Sequence, residues 1–287
     1  MSPYLYRTRR IWVYLPPDYD PDREEGYQVI YLTSAQNLFG QQAESNPEPN
    51  NDWGFDETLD SLYYQTGKGT IAVGLEYDFH YPWDEYTLWN NNNMDNWVTD
   101  VTVLTGKGTS YLIFIVNTLK PIIDTSYNTL PDRENTAIGG GSRHALFALC
   151  AGLMHHNTFS KVMAMSPAVW LAEGGSRLPL GKPTWFTTNQ LGVWLDKNVT
   201  PPDVEFFLHI GTNEEQGTGG NFPYAYTDPT DPETKLEWKD VYLRGAIKIE
   251  KKLDLDGEHY HVTNEGHLPS VWGEYGDDAL QVLGFYP

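Results

Sequence analysis

Apolar positions along the chain fall into two kinds of run: short stretches of four to seven residues bounded by turn formers, and longer stretches with helical spacing. Ile11–Leu15 and Gln28–Leu32 read as strands, the first closed by a Pro16-Pro17-Asp18 turn. Asp56–Tyr64 is predicted as a short helix and Thr70–Val73 as a buried strand. Tyr111–Ile123 has helical length and spacing despite its β-branched content. Asn135–Ile138 is a strand, Ala145–Met154 a helix, and Val162–Met165 and Val204–Ile210 further strands. Trp238–Leu253 is the longest amphipathic segment, followed by a strand at His259–Thr263 and a closing helix from Trp272. Strands separated by helices predict the α/β class, with a mostly parallel central sheet and helices on both faces. No internal repeat and no linker composition interrupts the pattern, so a single domain over residues 1–287 is expected. Two segments break the alternation: 89–108, which contains Asn90 to Asn93 and reads as a loop insertion or lid, and 211–232, rich in Gly, Asn, Asp and Pro.

The strand before the third of these helices ends in an informative way. Ile138 is followed by Gly139-Gly140-Gly141, then Ser142, then Arg143-His144-Ala145 and the helix. A serine on a tight strand-to-helix turn is the layout of a nucleophile elbow, which lifts the hydroxyl clear of the sheet. The backbone N–H of the following residue then faces any oxyanion formed there. Gly140 stands two residues before the serine, where a side chain would crowd the turn. The glycine expected two residues after it is replaced by His144.

A serine nucleophile needs a base, and the base an acid to orient it. Hydrolases with this elbow carry them in the chain order serine, acid, histidine. After the strand at 204–210 come Gly211-Thr212-Asn213-Glu214-Glu215, and after the strand ending at Thr263 come Asn264-Glu265-Gly266-His267. Both follow a strand's C-terminal end. His209, His259 and His261 fall in strand positions, where packing is the default role, and His155 and His156 at a helix end, where a cation suits the dipole.

Charge and cysteine narrow the function classes. The 39 acidic residues against 19 basic give a net charge of −20, which disfavours nucleic acid and anionic membrane surfaces as partners. The single cysteine, Cys150, forms no internal disulfide and is expected as a buried thiol in the helix after Ser142. No HExxH, paired cysteine or EF-hand loop is present, so no metal and no cofactor is expected. The opening residues hold no signal-peptide core, which leaves the compartment open between cytoplasmic and secreted after trimming. Aromatics make up 14% of residues; Trp83, Trp89 and Trp97 flank the Asn-rich loop as candidate cleft walls, with core packing as the default. Asn198-Val199-Thr200 is a lone glycosylation sequon.

Several segments together resemble the putative-esterase family, which includes esterase D, enterochelin esterases, feruloyl and acetyl-xylan esterases and mycolyltransferases. They are Arg10-Ile-Trp-Val-Tyr-Leu-Pro-Pro-Asp-Tyr19, Tyr31-Leu-Thr-Ser-Ala-Gln-Asn-Leu-Phe39, Glu85-Tyr86 after Val73-Gly74, Leu119-Lys120-Pro121-Ile-Ile-Asp124, Pro131-Asp-Arg-Glu-Asn-Thr136 and Ser166-Pro167-Ala168-Val169-Trp170. They run in order from Arg10 to the C-terminus. The resemblance implies an α/β-hydrolase fold and a serine carboxylesterase acting through an acyl-serine intermediate on a small-molecule ester, sugar-linked or phenolic. It aligns Ser142 with the nucleophile, Glu214 with the acid (Glu215 as fallback) and His267 with the base. It implies an oxyanion hole from the N–H of Arg143 and one from the Ser34-Ala35-Gln36 turn, with Gln36, His144, Trp170 and Trp272 as candidate substrate contacts. Two departures stand out: Thr33-Ser34-Ala35 replaces the family's H-D-G, and Arg143-His144-Ala145 replaces its M-G-G. His144 thus shapes the pocket, packs at the helix start, or marks a degenerate ligand binder without turnover. Acyl transfer to another alcohol is a further alternative. Arg143 is expected to face solvent, the other reading being attraction of a carboxylate-bearing substrate.

Overall fold

The computed structural model describes residues 8–40, 52–78, 83–91, 104–172, 190–198, 203–214, 226–228, 231–236 and 238–287. Its centre is a seven-stranded sheet of β1 (Ile11–Tyr14), β2 (Gln28–Thr33), β3 (Thr70–Leu75), β4 (Thr136–Gly141), β5 (Lys161–Met165), β6 (Glu205–Asn213) and β7 (Tyr260–Gly266). Their spatial order is β1-β3-β2-β4-β5-β6-β7. Only the edge strand β1 runs antiparallel to its neighbour; the other pairs are parallel.

The strands are buried on both faces because their side chains alternate between two cores. Val29, Tyr31, Ile138, Val162 and Leu208 pack on one side, Ile30, Leu32, Ala137, Met163 and Phe207 on the other. The first core is closed by α2 (Gly108–Phe114), α3 (Lys120–Ser126), α4 (Arg143–Met154), α5 (Gln190–Lys197) and α6 (Trp238–Leu253). The second is closed by α1 (Phe55–Thr66), α7 (Pro269–Glu274) and α8 (Gly276–Val282). Cys150 is buried within α4, and burial pushes its thiol pKa up.

Three elements differ from expectation. The helix expected over 111–123 begins at Gly108, reaches Ser126, and widens into a π turn at Ile115–Leu119. Pro121 follows immediately; it has no N–H to complete a regular ladder, and the wider turn accommodates that loss. The closing helix starts at Pro269, a residue suited to a first turn, and breaks at Tyr275 into two short helices. Within 89–108, Asn90–Asn91 pair with Leu104–Thr105, and the expected lid between them (92–103, with Trp97) lies outside the described residues. So does most of 211–232, Glu215 included, and so do Val199 and Thr200 of the sequon.

The short helix α7 lies directly against the backbone of the segment before α1. A Cβ on Gly273 would sit 1.7 Å from the carbonyl oxygen of Trp53 and 2.6 Å from its carbonyl carbon. Gly273→Ala is therefore expected to cost about 2 kcal/mol or more, read as a lowered urea midpoint. An unchanged midpoint would contradict this packing.

Candidate active site

Strand β4 delivers Ser142 into a turn with φ 59° and ψ −123°, and α4 starts at the next residue. A non-glycine residue at positive φ costs about 1–3 kcal/mol unless its surroundings fix it. Three backbone hydrogen bonds do so: Ser142 donates to Met165 O at 2.8 Å, and its carbonyl accepts from Ala168 at 3.0 Å and Leu146 at 3.2 Å. The glycines before it are required by contact. A Cβ on Gly140 would lie 2.6 Å from the Cβ of His144 and 2.8 Å from Thr33 Oγ1; one on Gly141 would lie 2.3 Å from the Trp272 ring.

His144 turns inward. Its ring stands edge-on to Tyr86 at 4.2 Å, and its Nδ1 lies 3.2 Å from the carbonyl oxygen of Gly141. Burial, and then the charge of Arg143, hold its pKa well below the ordinary value, so the ring is neutral. Among the readings open for His144, its position is that of a residue packed at the helix start.

Strands β6 and β7 end side by side, and their ends carry Glu214 and His267. Glu214 is fully buried and His267 is 8% exposed. Glu214 Oε2 pairs with His267 Nδ1 at 2.5 Å, while Oε1 accepts from Gly211 N and from Ser166 Oγ, both at 2.7 Å. The Trp272 indole N–H in turn donates to Ser166 Oγ at 3.1 Å. A chain of hydrogen bonds thus runs from Trp272 through Ser166 and Glu214 to His267.

Ser142 and His267 share neighbours on two sides. The Trp272 ring meets His267 edge-on at 4.9 Å and abuts Gly141, the residue before the serine. The Tyr242 ring, from α6, lies 4.7 Å from His267, and its hydroxyl lies beside the Ser142 side chain. Among the described residues no direct hydrogen bond joins Ser142 to His267. Burial pushes the Tyr242 phenol up to about 12, so it stays protonated at neutral pH.

The remaining expected residues are placed as follows. Ser34 (φ 73°) leads into a short turn at Ala35–Asn37 beyond β2, beside β4, with Leu32 opposite Gly139. The Gln36 side chain is engaged with the backbone, donating to Tyr77 O at 3.0 Å and accepting from Tyr77 N at 3.2 Å. It ties the turn after β2 to the segment after β3. Trp170 is buried, 6.2 Å from Trp83 and 6.4 Å from Tyr242. Arg143, expected to face solvent, is partly exposed, with its Nε buried. Its guanidinium carbon lies 4.7 Å from the Trp83 ring and 5.5 Å from Tyr77, and the side chain is held there by aromatic walls.

Tyr242 and Ser166 escaped the sequence analysis as site residues. Tyr242 reads as one more apolar position of an amphipathic helix. Ser166 sits inside a segment quoted for the resemblance, and its positive φ of 47° has no signature in the sequence.

A mostly parallel sheet with helices on both faces and a strand–serine–helix turn near its centre define the α/β-hydrolase fold. Three solved structures share this fold. A ferulic acid esterase is 17% identical with TM-score 0.59, covering 97% of this chain and 93% of its own. An IroE-like serine hydrolase from Shewanella oneidensis is 18% identical with TM-score 0.65, covering 97% and 77%. The enterobactin esterase of Shigella flexneri, determined in the presence of enterobactin, is 15% identical with TM-score 0.65; this chain spans 98% of itself but 56% of that protein. No curated protein matches the sequence. The model of the family described as "Putative esterase" matches residues 2–248, and the chain belongs to that family. It is a carboxylesterase.

The neutral state of His144 has a measurable consequence. In the unfolded chain a histidine titrates near about 6.5. Above that pH both states are neutral and the stability is complete. Below it the unfolded chain binds a proton that the folded site refuses, so stability falls as pH falls toward the depressed folded pKa. His209, whose pKa burial lowers to about 4, acts in the same direction. His144→Phe is therefore expected to shrink the loss of unfolding free energy between pH 7 and pH 5 by about 1–2 kcal/mol. Equal losses in both proteins would show that the ring is not held neutral.

Proposed function

We propose that the protein hydrolyses small-molecule carboxylic esters through an acyl-serine intermediate, with Ser142 as nucleophile, His267 as base and Glu214 as the acid that orients it. The observation that carries this reading is the Glu214–His267 pair at 2.5 Å, its carboxylate wholly buried, beside an elbow at Ser142 that keeps its strained conformation. The Ser142 hydroxyl attacks the carbonyl carbon and its proton passes to His267 Nε2, while Nδ1–H stays bonded to Glu214. The oxyanion is received by the N–H of Arg143 and one from the Ser34-Ala35-Gln36 turn. His267 returns the proton to the departing alcohol; water, deprotonated by His267, then attacks the acyl carbon, the acyl–Oγ bond breaks as His267 returns that proton to Ser142 Oγ, and the acid leaves. Attack requires the serine hydroxyl to close on His267, a tightening usual when substrate enters.

Two features favour turnover over ligand binding alone. His144 is absorbed into packing with Tyr86 and leaves the turn formed, and every hydrogen-bonding atom of the Glu214 carboxylate has a partner. The aromatic walls of Tyr77, Trp83, Trp170 and Tyr242 support a planar substrate, in keeping with neighbours named ferulic acid esterase and enterobactin esterase.

A fluorophosphonate is expected to label Ser142 stoichiometrically, located by peptide mapping. Ser142→Ala should lose label and lower ester turnover by about three orders of magnitude or more, with little change in the thermal midpoint. Turnover that survives this substitution would remove Ser142 from the mechanism. Tyr242→Phe keeps the ring on His267 but deletes the hydroxyl; a fall in kcat of about tenfold is expected, the worth of one hydrogen bond. An unchanged kcat would make Tyr242 a packing residue only.

A further inference from the structure

Arg143 is the one charged side chain on the elbow, and its surroundings are unusual for a cation in this protein. Arg9, also withdrawn from solvent, is neutralised by Asp78 at 3.3 Å and by Glu85. Arg133 has Glu134 and Asp203 at 3.2 and 2.7 Å. Arg143 has no carboxylate among the described residues, in a chain with 39 acidic side chains to choose from. Its guanidinium is walled by Trp83 and Tyr77, and its Nε is buried without a hydrogen-bond partner. The polar groups around it among the described residues are the phenols of Tyr86, Tyr77 and Tyr242. The last of these lies beside Ser142. The acid of the site, Glu214, has both oxygens committed to Ser166, Gly211 and His267.

A guanidinium partly withdrawn from water is ordinarily paired, because the cost of desolvation is recovered by an opposite charge. With no carboxylate partner among the described residues, and one residue from the proposed nucleophile, it is a positive charge open to a partner. Its planar donor fork suits a carboxylate or another planar oxyanion better than a lone hydroxyl. We propose that Arg143 selects substrates: the esters this enzyme prefers carry an anionic group, a carboxylate foremost, that docks on the Arg143 guanidinium between Tyr77 and Trp83 while the ester carbonyl lies at Ser142. The proposal rests on the reading of Ser142 as nucleophile and adds the chemical class of the substrate. It also accounts for the departure from the family at this position, since the methionine implied there offers no charge.

Matched ester pairs test it. On the acyl side, p-nitrophenyl hemisuccinate is compared with p-nitrophenyl butyrate; on the alcohol side, 3-carboxyphenyl acetate with phenyl acetate. The ratio of kcat/KM for the anionic over the neutral member is measured in the wild type, Arg143→Lys and Arg143→Met, the last keeping an unbranched stem to lie on the two rings. In at least one pair the ratio is expected to fall about 10–100-fold from wild type to Met, mainly through KM, with Lys between them. Equal ratios in the three proteins for both pairs would overturn the proposal. A second measurement is independent of turnover: binding of 3-carboxyphenyl acetate and phenyl acetate to Ser142→Ala, read by tryptophan fluorescence. Tighter binding of the anion, lost when Arg143→Met is added, supports the proposal; equal binding of the two overturns it. Failure of fluorophosphonate to label Ser142, with anion binding intact, would instead strike the catalytic reading and leave the anion site standing.

Discussion

The carboxylate of Glu214 is fully enclosed, and an enclosed charge is tolerable only where hydrogen bonds replace its water. Its partners come from the ends of three successive strands. Ser166 follows β5, Gly211 belongs to β6, and His267 follows β7. The requirement to satisfy one anion therefore fixes the relative position of three loops at one edge of the sheet. It also explains local strain: Ser166 adopts a positive φ, and its hydroxyl, supported by the Trp272 indole, points at the carboxylate. Removing His267 would leave Oε2 stranded in a place water does not reach, whereas Oε1 keeps one donor if either Ser166 or Gly211 is lost.

The serine turn depends on a second constraint, close approach. The glycines of β4 let the Trp272 ring and the start of α4 come within contact of the strand, and Met165 and Ala168 hold the serine from the β5 side. Trp272 belongs to both constraints, packing on Gly141 and donating to Ser166. The nucleophile turn and the acid–base pair are thus mechanically joined through one indole. His144 fits because the crowded side of the turn is the side toward Gly140, while the ring itself extends into the aromatic cluster of Tyr86 and Tyr77. A larger side chain at that position is accommodated by what lies beyond it in the core, which no local motif records.

That distinction marks how much was legible in the sequence. The mostly parallel sheet follows from alternating strands and helices, and the period-two split of residues such as Tyr31 and Leu32 between two cores follows from strand geometry. The proposed triad of Ser142, Glu214 and His267 is singled out in the sequence by position relative to strand ends. Tyr242 does not, because its helix position is apolar by pattern and its hydroxyl matters only through a contact a hundred residues distant in sequence. The π turn in the helix over 108–126 was hidden for another reason: Pro121 signals a disturbance, but whether the chain breaks, kinks or widens depends on what packs beside it.

Charge gives this site its individuality. The chain as a whole carries −20, so any anion approaches against the average field. Within the site the balance reverses: the Glu214 carboxylate is met by hydrogen bonds and, on the proposed mechanism, by the proton His267 receives during attack, and His144 is held uncharged by burial. Among the described residues Arg143 remains charged with no carboxylate partner, beside aromatic rings that limit screening by salt. A long-range repulsion combined with a short-range attraction discriminates by contact, not by steering. An anionic ester gains only once its charge reaches the guanidinium, and at that point its carbonyl is already at the elbow. On the proposed reading, selectivity and positioning are then one event, because the residue whose side chain would receive the anion is the residue whose backbone N–H would face the developing oxyanion.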